Sequence, residues 1–345
     1  MRVRIKDVAE RAGVSTTMVS LYLNHHPLSA RMAEKTKQRI DEAVRELNYQ
    51  PSATARSLKK GKSKTLGLVI GEIAGVYSSF YSQMLLEEAE KYDYQLLISL
   101  TRYSREQELK CLQNLFSRQA DGILCTLYLG TSTPFPEYLR NYPILLTHYR
   151  NPVCNSFTVS YREGMRKLFA ELGARGIRRV LAVDENPLAA ADREGIVPED
   201  VVFAGCKFPD KNLAGILEEA RRVNAECLVF FSSVHARRFL LCCKENGVRE
   251  IPLVVNSYTL PYDYFEHPRV IGALVSPFRE HVAGEMRRMI EMIENPEDLR
   301  QETVPAQFMD RAGVRAYYER QKADPYYSVI VQERADNVSQ EDLDR

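Results

Sequence analysis

The stretch IKDVAERAGVSTTMVSLYLN, Ile5 to Asn24, holds two short runs of helically spaced apolar residues on either side of Gly13. Val8, Ala9 and Ala12 mark one face of the first run, and Val19, Leu21 and Leu23 mark the second. Gly13 breaks one helix from the next, and Ser15 is placed to cap the second with its hydroxyl. A third helix is predicted over Ala33 to Asn48, AEKTKQRIDEAVRELN. A helix, a tight turn and a second helix opening on small polar residues is the arrangement that lays a helix in the DNA major groove. There Thr16 and Thr17 face base edges from the first turn, while Ser15, Ser20 and Asn24 reach phosphates.

Charge points the same way. The net charge of the 345 residues is only +1, yet residues 1–64 carry 14 Lys+Arg against 6 Asp+Glu, leaving 33 against 40 for the rest. A basic head on an acidic body suits a nucleic-acid-binding module joined to a part with another task. The 7 cysteines lie in apolar runs without CxxC spacing, as expected of reduced packing residues. No apolar signal region opens the N-terminus and no run is long enough to span a membrane, so the expected location is cytoplasmic.

From Leu66 the pattern changes to short apolar runs alternating with amphipathic helices: LGLVIGEI, FYSQMLLEEAEKYDY, QLLISLT, and so on to VIGALVS. Such alternation means parallel sheets with helices on both faces, and its length suits two doubly wound lobes. The expected fold class is therefore α/β, a small all-α helix-turn-helix domain followed by a two-lobed, doubly wound parallel-sheet body. The expected domains are 1–50 for the head, 51–64 for a linker and 65–310 for the body. Lobe 1 is placed at about 65–160 plus 275–295, and lobe 2 at about 161–274 plus 296–310. Residues 311–345 read as an extension with a loose, charged end.

IKDVAERAGVSTTMVSLYLN, followed by KTKQRIDEAVRELNYQPSATARSLKKGKS and LGLVI, resembles the N-terminal signature of LacI-family transcription regulators. The likeness is dense over about the first seventy residues; beyond them it is one of topology, with weaker motifs such as QADGIL at Gln119 to Leu124. It implies a body like that of periplasmic sugar-binding proteins. It also implies that Ser52 to Leu58 form a hinge helix on DNA, with Leu58 as a wedge in the minor groove and Ala55 and Arg56 beside it. An apolar wedge that unstacks a base step is useful only where cations hold the bent duplex, and Arg56, Lys59, Lys60, Lys62 and Lys64 can supply them. One departure is Leu21, where many relatives carry a basic residue that reads guanine; a leucine can touch a thymine methyl instead.

The resemblance further implies an effector between the lobes and a homodimer on two-fold symmetric operator DNA. In lobe 1, Tyr77, Phe80 and His148 fall at the carboxyl ends of strands, where aromatic rings stack on a ligand and an imidazole hydrogen-bonds it. In lobe 2 the expected anchors are altered: Ser232 and Ser233 replace an Asn-Asp pair, Tyr258 stands near an expected acidic residue, and Arg193 is the stand-in for an arginine. A small molecule related to carbohydrate is the expected effector, with no cofactor or metal. The competing reading is a dimerisation scaffold controlled by a partner protein or a non-sugar ligand. Asp184, Glu185, His148, His235, His267 and His281 show no triad, HExxH or phosphate-loop spacing, which argues against catalysis.

Overall fold

The computed structural model describes residues 3–24, 26–50, 61–74, 76–126, 142–151, 154–207, 213–246, 251–257 and 267–321. The chain divides into two compact units, Met1–Thr65 and Leu66–Arg345.

In the first unit α1 (Ile5–Ala12), α2 (Thr16–Leu23) and α3 (Glu34–Glu46) pack around Val8, Ala9, Ala12, Val19, Ile40 and Ala43. A short 3-10 turn at Pro27–Arg31, not anticipated from the sequence, joins α2 to α3. Gly13 ends α1 in the left-handed region, with φ 61° and ψ 44°. That conformation carries no Cβ penalty for glycine and lets α2 start in a new direction. Ser15 caps α2 as expected, its hydroxyl accepting from the Met18 N–H at 3.2 Å.

The second unit holds two six-stranded sheets. The first contains β1 (Thr65–Ile70), β2 (Gln95–Leu100), β3 (Gly122–Cys125), β4 (Ile144–Leu146), β5 (Asn155–Ser160) and β11 (Gln301–Pro305), in the order β2-β1-β3-β4-β5-β11. The second contains β6 (Arg179–Val183), β7 (Val202–Cys206), β8 (Cys227–Phe230), β9 (Leu253–Ser257), β10 (Val270–Val275) and β12 (Gln307–Asp310), in the order β7-β6-β8-β9-β10-β12. The pairings β1–β3, β3–β4, β4–β5 and β5–β11 in the first sheet and β7–β6, β6–β8, β8–β9 and β9–β10 in the second are parallel, and β12 runs antiparallel to β10. Strands such as LGLV, GILC and CLVF are buried along their whole length, as sheets covered on both faces require.

Helices α4 (Val76–Lys91), α5 (Arg105–Ser117) and α10 (Phe278–Glu294) pack on the first sheet. Helices α6 (Arg162–Ala174), α7 (Pro187–Arg193), α8 (Leu213–Arg222), α9 (Ser233–Asn246) and α11 (Arg311–Gln321) belong to the second lobe. The chain crosses between lobes after Ser160, after Val275 and at Ala306. At Gly284 the α10 backbone approaches β5 so closely that an added Cβ would lie 2.1 Å from the Phe157 ring.

Two boundaries differ from the sequence reading. Residues 301–305, assigned above to lobe 2, add a parallel strand to the lobe 1 sheet, each of the five paired in register with β5. QETVP alternates exposed and half-buried positions, so it lacks the apolar run that marks the other strands. Residues 311–321, the first part of the stretch read above as an extension with a loose, charged end, form a helix whose Val314 and Tyr318 are buried in the lobe 2 core, so that the body continues past residue 310. The run YYSVIVQE at Tyr326 to Glu333, whose apolar residues read as a strand, lies outside the described residues.

Tyr318 is 3% exposed and its hydroxyl lies 3.2 Å from that of Ser257 at the end of β9. Tyr318→Ala is expected to destabilise the body by about 3 kcal/mol, measured as a lower urea midpoint at unchanged slope. A midpoint equal to that of the parent chain would show that α11 is a dispensable appendage.

Candidate functional site

The polar face of α2 is built by its first turn. Ser15, Thr16 and Thr17 are exposed, while Ser20, Leu21 and Asn24 are half-buried. The Asn24 amide donates to the Ser20 carbonyl at 2.7 Å and to its hydroxyl at 3.3 Å, closing the far end of α2 on itself. Two bonds fix α2 and the preceding turn against α3: Tyr22 donates its hydroxyl to Asp41 at 2.7 Å, and Arg39 donates to the Gly13 carbonyl at 3.3 Å. The carboxylate of Asp41 pushes the Tyr22 phenol up from its ordinary value, so the tyrosine stays protonated and able to donate. Neither tie was found from sequence; partners in different helices leave no periodic signal. Ala55, Arg56 and Leu58 lie outside the described residues.

In the body, strand polarity gathers the candidate ligand groups. Thr147 and His148 follow β4, Tyr161 follows β5, Asp184 follows β6, Lys207 follows β7 and Ser232 lies two residues past β8, all at carboxyl ends. Such ends of a doubly wound sheet are where ligands bind.

Lobe 1 brings Tyr77, Phe80 and His148 together. Tyr77 Oη is 2.7 Å from His148 Nε2, and His148 Nδ1 is 2.8 Å from Thr147 Oγ1, so both ring nitrogens are engaged. Tyr77 stacks on Tyr81 at 5.6 Å, and Phe80 stacks on Phe278 at 5.2 Å. Behind them Tyr81 donates to Glu285 Oε2 at 2.8 Å, and His281 Nε2 lies 3.2 Å from Glu285 Oε1. Burial, with His281 nearby, pushes His148 down to about 3; burial takes His281 down to about 4. Burial also raises Glu285 well above the usual carboxylate range. These groups form a neutral network, and no spacing in the sequence marks Glu285 or Tyr81 as its members.

Lobe 2 ties up its own anchors. Arg193 donates to both oxygens of Glu185 at 2.7 and 2.9 Å and lies over the Phe203 ring at 4.4 Å. Ser232 accepts from the His235 N–H at 3.4 Å, capping α9. His235 is paired with an acidic side chain: its Nδ1 is 2.6 Å from Asp184 Oδ2. Asp184 itself stands in the left-handed region at φ 55°. The Tyr161 hydroxyl accepts from Asn256 at 3.3 Å and Asn186 at 3.4 Å. Tyr258 lies outside the described residues. Among the described residues no cluster has the composition of a metal site, and no helix is long and apolar enough to cross a membrane.

Between the lobes, Arg150 forms a bidentate ion pair with Asp192, at 2.8 and 3.3 Å. Neither residue stood out in the sequence, where 42 positions separate them.

The network makes a pH prediction. A depressed histidine value contributes stability that is present above the unfolded value and lost as pH falls; the raised Glu285 value works in the opposite sense. Between about pH 5 and 6, unfolding charges two histidines and ionises one carboxyl, a net uptake of about one proton and a gain in stability of about 1.4 kcal/mol per pH unit from these groups. Glu285→Gln is expected to steepen that dependence by a similar amount and His148→Asn to flatten it. Denaturant titrations at several pH values check both, and parallel curves for all three proteins would refute the neutral network.

Residues 4–52 match the family model described as bacterial regulatory proteins, lacI family. The chain is 37% identical over 145 residues to the sucrose operon repressor of Klebsiella pneumoniae, covering 42% of this chain and 43% of that protein. It is 31% identical over 140 residues to the catabolite repressor/activator of Escherichia coli strain K12, covering 41% and 42%. The chain thus spans less than half the length of either curated relative. Its fold is similar to that of a lac repressor dimer bound to operator and the anti-inducer ONPF, with a TM-score of 0.72 at 19% identity over 90% of this chain and 99% of that one.

Proposed function

We propose that this chain, with a lacI-family head at residues 4–52 and a body of lac repressor fold, is a sequence-specific transcription regulator that acts as a dimer. The observation that carries the proposal is the head: a capped α2 set by the Gly13 turn, with Thr16 and Thr17 exposed on its first turn. Thr16, Thr17 and Leu21 read bases; Ser15, Ser20 and Asn24 lie against phosphates; Leu58 with Ala55 and Arg56 serves the operator centre. Two-fold symmetry of the protein demands a two-fold symmetric site.

A homodimer also accounts for apolar surface on lobe 1. Leu97 and Leu100 on the edge strand β2, together with Leu86 on α4, are 38%, 36% and 38% exposed. Exposed apolar side chains on a sheet edge are a liability unless another chain covers them.

Repression is the preferred direction, since the relatives include a repressor and a repressor/activator. The site of action is the cytoplasm, where the operator is. A carbohydrate-related effector in the cleft would act by changing lobe closure, a coupling of typically about 1–3 kcal/mol. The second reading, a body that serves as a scaffold for a partner protein, is favoured by one feature. Arg193, His148 and Ser232 are already engaged by neighbouring residues.

Catalysis is not part of the proposal. The Cys206 thiol beside Asp184 is pushed up to about 11, chiefly by burial, which leaves it a poor nucleophile.

Selection from a random duplex library tests the reading: a pseudo-palindrome should be enriched, and enrichment without sequence bias would sink it. On that operator Leu58→Ala is expected to weaken binding tenfold or more, about 1.4 kcal/mol, with the melting temperature nearly unchanged. A lower melting temperature with intact affinity would mean that the leucine packs on the protein instead.

A further inference from the structure

We propose that the Arg150–Asp192 ion pair is an internal clasp that sets how the two lobes meet, a carboxylate of the chain itself performing the task of a bound effector. The proposal concerns regulation of the cleft and rests on the DNA-binding reading above for one of its two readouts.

The pair joins different lobes. Arg150 leaves the loop between β4 and β5, in the lobe 1 sheet, and Asp192 sits in the last turn of α7, in lobe 2. Other partly buried ion pairs stay within one lobe: Arg193–Glu185 lies wholly in lobe 2, and Arg288–Asp298 wholly in lobe 1.

The geometry is that of a built contact. Arg150 presents Nη1 and Nη2 to the two carboxylate oxygens of Asp192. Its Nε donates to Thr158 Oγ1 at 3.2 Å, and Nη2 also donates to the Val159 carbonyl at 3.2 Å, near the end of β5. Asp192 Oδ2 accepts in addition from the Tyr161 N–H at 2.6 Å, the first residue beyond the first crossing. Arg162 on α6 reaches the Asp192 carbonyl at 3.4 Å. One carboxylate is thus bonded to residues on both sides of the chain's passage between lobes.

Burial separates this contact from a surface pair. The Asp192 side chain is 9% exposed and that of Arg150 28%. An exposed pair contributes little because water and salt screen it, whereas a buried fork-to-fork pair fixes orientation as well as distance. Removing one partner strands the other charge, so the lobes must shift to let water in; removing both together leaves no stranded ion. This difference gives the test its variants.

The experiment uses the full chain, the duplex selected as described above and an unrelated duplex. Asp192→Asn, Arg150→Lys and the double replacement Arg150→Met with Asp192→Leu are compared by operator affinity and solution X-ray scattering. A clasp predicts a change in operator affinity of about fivefold or more in each variant, with an altered scattering profile. Affinity for the unrelated duplex at low salt, a measure of the basic head, should stay within about twofold. Operator affinity and scattering equal to those of the parent in the variants that fold would overturn the clasp. Should Asp192→Asn fail to fold, the double variant decides: parent-like affinity there would mean that the pair only stabilises the fold. Failure of the parent chain to select any operator would instead count against the regulator reading. In that event scattering alone judges the clasp, and profiles unchanged across the variants overturn it.

Discussion

A parallel strand buried on both faces must be covered by helices on each side, and that requirement arranges the whole body. LGLV, GILC, CLVF and VIGALV cannot face water, so the chain runs strand, helix, strand twice over. Once the strands are parallel, their carboxyl ends collect along one rim of each sheet. His148, Tyr161, Asp184 and Ser232 are brought near those rims by topology before any chemistry is considered. The candidate site is therefore a consequence of how apolar strands are covered.

Within that frame two ways of accommodating a buried ionisable group stand side by side, pairing and neutralisation. Arg288 is completely buried, yet it donates to Asn155 at 2.6 Å and to Asp298 at 3.1 Å. Glu285 and His281, one turn apart on the same helix, take the other course: burial moves their values in opposite directions so that both lose their charge. Desolvation exceeds what an unpaired ion could recover there, and neutralisation costs less. The same logic explains why Arg150 and Asp192 keep their charges. Each has its partner in bidentate geometry, and Thr158, Val159 and Tyr161 occupy further hydrogen-bonding positions.

How much of this the sequence disclosed follows from how local each signal is. Gly13 and Ser15 act within a few residues of themselves, so α1, the turn and the start of α2 were legible from the sequence. Alternating apolar runs and amphipathic helices announced two doubly wound lobes. By contrast β11 is half-exposed and defined by pairing with a strand about 145 residues earlier, and α11 buries only Val314 and Tyr318 fully in a run interspersed with charges. The cleft was legible as a place and not as a set of partners. Tyr77 and His148 do meet, but Tyr22–Asp41, Tyr81–Glu285 and Arg150–Asp192 depend on tertiary proximity that no spacing rule encodes.

The composition of α2 bears on how a head of this kind would discriminate among sequences. TTMVSLYL carries no charged side chain, so it lacks the arginine fork that reads guanine with about 1–3 kcal/mol of discrimination. On the proposed function Thr16, Thr17 and Leu21 would offer hydroxyl and methyl contacts, which are weaker and less exclusive. On the proposed function, a larger share of specificity must then come from DNA that is easily deformed at the operator centre, because deformation energy depends on sequence even where no base is touched. That places more weight on the geometry in which two heads and two linkers are presented together, and hence on whatever holds the lobes of each body in register. A reader with few base contacts is the one most sensitive to a clasp such as Arg150–Asp192, since a small error in presentation is not offset by a strong contact elsewhere.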